Sequence, residues 1–142
     1  MKPVIVTRII NKSKSEVWNT ITNHSKMIQW FFNNIPDFKP EVGFTTEFNV
    51  NSGERNFLHV WRVTEVNPQN KIVCEWKYPE YVDKSLWVTF ELKKISTNST
   101  EFKVEALGIE YFESFNIPEF KRESCEGGWS YFSDNLKSYL EK

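Results

Sequence analysis

The chain has 142 residues, a formal charge of −1 from 18 basic and 19 acidic side chains, and 16% aromatic residues. That length fits one domain, residues 1–142, able to bury roughly 68–70% of its unfolded surface. The two signs of charge are interspersed and no apolar stretch approaches a bilayer's width, which argues against nucleic acid, an anionic membrane surface or a membrane span.

Residues 3–10 (PVIVTRII) are β-branched and read as a first strand. The apolar run is too short for a secretory signal and Arg8 interrupts it, so a cytoplasmic location is expected. Ser13 with Glu16 three residues on fits a capping box. Val17, Trp18 and Ile21 then form one face of a short helix over about 14–22. Asn23 breaks it, and a second short helix covers about 24–31. Residues 33–43 (NNIPDFKPEVG) have two prolines, a glycine and no period, and read as a loop.

Alternating segments follow. Phe44, Phe48 and Val50 share one side of a strand, and Asn51-Ser52-Gly53 turns the chain. Phe57 to Val66 is a long strand, and the turn at 67–70 leads to Ile72, Cys74, Trp76 and Tyr78 on one face of the next. Leu86, Val88, Phe90 and Leu92 alternate in turn, as do Phe102, Val104 and Ala106. These five runs are joined without crossover helices, so they predict an antiparallel meander covered on its apolar side only. Residues 108–118 read as a loop carrying Tyr111, Phe112 and Phe115. Pro118 suits the first turn of a final helix, with Glu119 and Glu123 at its positive end. In that helix Cys125, Trp129, Phe132, Leu136 and Tyr139 recur at spacings of 4, 3, 4 and 3, a single apolar stripe. Gly127-Gly128 interrupts it at a cost of about 2 kcal/mol relative to alanine, which points to close approach by a neighbouring backbone or a ligand, or to a kink.

The order β, αα, five β, α predicts an α+β helix-grip fold. In it a curved six-stranded antiparallel sheet wraps a long C-terminal helix, with two short helices between strands one and two. The segments 13–32, 35–48, 59–78, 85–92 and 126–142 also resemble, in order, the bacterial AHSA-like family, homologues of the activator of heat-shock-protein-90 ATPase in the START-related (SRPBCC, birch-pollen-allergen-like) superfamily. The resemblance implies a cavity between sheet and last helix, in proteins that mostly bind, carry or sense small apolar molecules. The eukaryotic activator has an additional N-terminal domain that grips the chaperone, and no segment of these residues reads as one.

With 12 Phe and 6 Trp, the chain needs a very full core or an aromatic pocket wall. The candidate ligand-binding residues are Phe44, Phe48, His59, Trp61, Cys74, Trp76, Tyr78, Val88, Phe90, Trp129 and Phe132. Trp30, Phe31, Tyr111 and Phe112 are expected to border the entrance. His59, Tyr78 and Tyr131 would orient a guest. His59 faces the cavity only if the side bearing Phe57, Trp61 and Val63 does. Cys74 and Cys125 lie in apolar rows and read as inert buried thiols. Two histidines without ligand spacing argue against a metal, and no catalytic motif or cofactor signature appears.

The function expected is therefore non-enzymatic binding of a small hydrophobic or aromatic molecule or lipid, by a monomer. A second expectation is an interaction module acting on a chaperone or another protein, with an exposed aromatic patch around Trp87 on the outer sheet face. A third, a lyase or cyclase, needs His59 paired with Glu47 or Glu75, which alternation places on the outer faces of their strands.

Overall fold

A computed structural model describes residues 2–142. The chain runs β1 (Val4–Ile10), α1 (Lys14–Thr22), α2 (His24–Trp30), β2 (Thr45–Ser52), β3 (Arg55–Asn67), β4 (Lys71–Lys77), β5 (Ser85–Ser96), β6 (Ser99–Leu107), α3 (Glu110–Glu113), a 3-10 turn (Pro118–Phe120) and α4 (Arg122–Leu140). The local causes are those the sequence supplies. Ser13 accepts from the Glu16 amide at the start of α1. Asn23 ends α1 through its own amide and starts α2 by accepting from the Ser25 amide. One residue with a short polar side chain thus divides two helices.

The six strands form one antiparallel sheet in the order β1-β6-β5-β4-β3-β2. Five of them follow one another as a meander, and β1 closes on β6 from Val4↔Ala106 to Ile10↔Thr100. β1 and β2 are therefore the two edges, and α1 and α2 carry the chain from one to the other. The register slips between Val63 and Glu65, a bulge that sharpens the bend of the long β3 strand. Alternation holds in the middle of the sheet: Ile72, Cys74, Trp76, Val88, Phe90, Phe102 and Val104 are buried. Their outward neighbours form cross-strand ion pairs, Arg62–Glu75 at 3.0 Å and Lys103–Glu91 at 3.1 Å. Trp87, on that charged outer face, is 37% exposed.

α4 crosses the concave face and lies along β1. Trp129, Ser133 and Leu136 are its buried residues, at i, i+4 and i+7. Arg8 on β1 donates to Asp134 at 2.7 Å, and Arg122 donates to the Lys2 carbonyl at 2.8 Å, so the helix is fixed to this edge at its start and in its second half.

Three local readings change. α4 begins at Arg122, because Lys121 is extended (φ −77°, ψ 153°) and Pro118 heads a separate 3-10 turn. The segment after β6 contains α3, reached through Gly108 at φ +109°, where a Cβ would stand 2.9 Å from the Ser85 carbonyl. A Cβ at Gly127 or Gly128, by contrast, would meet no atom within 4 Å, so neither glycine serves close packing.

Candidate ligand-binding site

The concave face does not close fully on α4. A cavity of about 180 Å³ remains between them. β3 and β4 supply its floor through His59 and Trp76, with Tyr78 just past β4 and Leu86 from β5. Phe31 and Phe32 enter from the end of α2, and Ile109, Phe112 and Phe120 from the segment around α3. α4 contributes Ser124, Cys125, Gly128, Trp129 and Phe132. The half-buried or exposed members are Phe32, Glu119, Ser124, Cys125, Gly128 and Phe132, and they form the rim.

Beyond this cavity lies a void of about 10 Å³, lined by Met27, Phe38, Trp61, Ile72, Cys74, Val88 and Phe90. Phe31 and Trp76 border both spaces and separate them. Phe31 stacks on Trp30 at 4.8 Å with an interplanar angle of 2°, and meets Phe132 edge-on at 4.8 Å. Trp76 stacks on its cross-strand partner Trp61 at 4.6 Å. A void that small is at the lower limit for a single water.

With Tyr78, His59 is one of the buried polar side chains of the main cavity, 6% exposed. Its ring stacks on Phe48, its register partner, at 5.3 Å and meets Tyr78 edge-on at 4.7 Å. Nδ1 lies 3.0 Å from the Phe57 carbonyl, which can only accept, so Nδ1 carries the proton. In the neutral ring Nε2 is then an acceptor, and it has no partner among the described residues. Burial lowers the His59 pKa to about 4, against a smaller opposing effect of the Phe57 bond, so the ring is neutral at pH 7. Burial likewise pushes the Cys125 thiol up to about 11 and raises the Tyr78 phenol. Glu119 at the rim accepts from the Ser52 hydroxyl at 2.8 Å, with Arg55 3.6 Å away, and this holds its carboxylate below the ordinary range.

The candidate residues separate into groups. His59, Trp76, Tyr78, Trp129, Phe132, Phe31 and Phe112 meet around the main cavity. Trp61, Cys74, Val88 and Phe90 border the small void instead, and burial pushes the Cys74 thiol up to about 12. Phe48 is buried behind His59 and lines neither space. Phe44 lies just before edge strand β2 and packs edge-on against Phe38, a wall of the small void, at 5.8 Å, but lines neither space.

Two of the entrance expectations change. Trp30 is 1% exposed, inside rather than at a rim, because its indole donates to the Thr20 carbonyl at 3.0 Å. Tyr111 points outward beneath Lys84, since α3 turns Phe112 in and its neighbour out. Tyr131 is 63% exposed and cannot orient a guest in this cavity. Phe32, Leu86, Ile109, Glu119, Phe120, Ser124, Cys125 and Gly128 are further lining residues. Of these, Leu86 and Cys125 belong to readable apolar rows, whereas the Pro118–Phe120 segment has no period to reveal it.

Glu47 is exposed on β2, and Glu75 is held on the outer face by Arg62 and Ser85. Neither carboxylate reaches His59. Among the described residues no three His, Cys, Asp or Glu side chains converge on a metal position, and no helix is long and apolar enough to cross a membrane.

A curved antiparallel sheet closed over a C-terminal helix, with the cavity between them, defines a helix-grip domain. Residues 11–141 match the family described as Activator of Hsp90 ATPase homolog 1-like protein, and the chain belongs to that family within the START-related superfamily. Protein MLL2253 from Mesorhizobium loti is 25% identical, with a TM-score of 0.74 over 99% of this chain and 97% of its own. The Aha1 dimer from Colwellia psychrerythraea is 20% identical, with a TM-score of 0.77 over the same shares. PFC0360w, an HSP90 activator from Plasmodium falciparum, is 18% identical, with a TM-score of 0.74, again over 99% and 97%. The comparison with curated proteins gives no match.

Proposed function

We propose that this domain, acting as one unit over residues 1–142 and as a monomer, binds a small, largely apolar molecule without transforming it. The observation that carries this reading is the aromatic cavity of about 180 Å³ beside α4, with His59 neutral and no carboxylate within its reach. Such walls bind by burial, at about 25 cal/mol per Å² of apolar surface removed from water, and a few polar groups fix orientation. Native mass spectrometry of protein purified from its source tests it. A co-purifying apolar molecule held one to one is expected, and a consistently empty protein that also binds no added apolar compound overturns the reading.

A second reading is supported by the family's description and by the fold shared with an HSP90 activator. On it the domain acts on a chaperone and stimulates its ATPase. Addition of the purified domain to the chaperone tests this directly, and an unchanged hydrolysis rate counts against it. On the outer sheet face Trp87 is 37% exposed, and its register partner Glu75 is paired with Arg62.

A further inference from the structure

On the strength of the ligand-binding reading above, we propose that His59 selects the guest: an uncharged molecule with one substituted aromatic ring and a hydrogen-bond donor, a phenol or an N–H heteroaromatic, directed at Nε2. The cavity sets the size. A space of about 180 Å³ is slightly larger than the roughly 150 Å³ that admits benzene, so one ring with a substituent fits.

The tautomer sets the polarity. Nδ1–H is committed to the Phe57 carbonyl at 3.0 Å, and the ring is held between the Phe48 face and the Tyr78 edge. His59 therefore cannot turn to present its N–H, and what it offers the cavity is a lone pair. A guest carrying only an acceptor, an ether or a carbonyl, sets lone pair against lone pair there. An anionic guest meets the same lone pair and the negative faces of the surrounding rings. A cationic guest meets one lining carboxylate, Glu119, whose charge is already offset: Oε2 accepts from Ser52, and Oε1, though it has no hydrogen bond, lies 3.6 Å from Arg55. The Tyr78 hydroxyl can donate or accept, so it orients a guest without discriminating between donor and acceptor.

The test compares p-cresol with p-xylene, in which a methyl replaces the hydroxyl, and with 4-methylanisole, which has an acceptor only. Affinities are measured by calorimetry for the wild type, His59→Phe and Tyr78→Phe. The preference for p-cresol over the other two should fall about tenfold in His59→Phe and persist in Tyr78→Phe. Should His59→Phe fail to fold, nitrogen-15 NMR of wild-type histidine decides: Nε2 must shift with p-cresol and stay unmoved with p-xylene. A preference lost in Tyr78→Phe instead, or equal affinities with an unmoved Nε2, overturns the donor requirement and leaves the cavity reading standing. Binding of none of the three overturns this inference, and the reading beneath it falls as well if mass spectrometry finds no guest.

Discussion

His59 illustrates how much one side chain's surroundings decide. Alone on a strand it would titrate near 6.5, but burial takes it to about 4. Between those values the unfolded chain binds a proton that the folded chain refuses, so stability is fully present above about pH 6.5 and falls as pH drops toward 4. A shift from 6.5 to about 4 corresponds to about 3 kcal/mol, most of it lost before pH 4.5. The other titratable groups on the cavity stay out of that window: the Tyr78 and Cys125 values are raised, and that of Glu119 is lowered. Denaturant unfolding between pH 7.5 and 4.5 should therefore show a slope that His59→Phe flattens, and a slope unchanged by the substitution would mean the imidazole is hydrated. Strand alternation made the facing of His59 conditional on that of Trp61, a condition the fold satisfies. The direction of its proton was not legible, because it depends on a carbonyl two residues away in a bent strand.

At the scale of elements, α4 shows both what periodicity reveals and what it conceals. The stripe of Cys125, Trp129, Phe132 and Leu136 is plain in the sequence, and it does face the sheet. The break at Lys121 is not, because nothing in residues 118–124 distinguishes a 3-10 turn followed by an extended residue from a continuous helix start. The glycines look alike in the sequence and differ in place: Gly128 lines the cavity, and Gly127 does not. Gly127→Ala should raise stability by about 1 kcal/mol and leave binding alone. Gly128→Ala should bring a similar gain in the helix but set a methyl into the cavity wall, weakening guest binding. Thermal unfolding with and without p-cresol separates the two, and equal behaviour of both variants would remove Gly128 from the wall.

Across the whole molecule, the number of rings tells less than their distribution. The sequence places Trp61, Phe90 and Trp129 between sheet and helix, yet only Trp129 reaches the larger space. Which rings end up in contact depends on the sheet's curvature and on the insertion of Phe31 between them, and neither is encoded by alternation. Phe102 is 1% exposed and packed on all sides, so Phe102→Ala should cost about 3–5 kcal/mol. Trp129 is larger but fronts the cavity, and Trp129→Ala should cost no more than the smaller ring does. A clearly greater loss, measured by chemical denaturation, would mean the wall is packed as tightly as the core.

Phe31 is half of a partition between two compartments of unequal size. Its plane is matched to that of Trp30, and with Trp76 it parts the larger space, which reaches Gly128, from the smaller one, which reaches Cys74. The depth open to a visitor is thereby bounded by two rings, one just past α2 and one from β4.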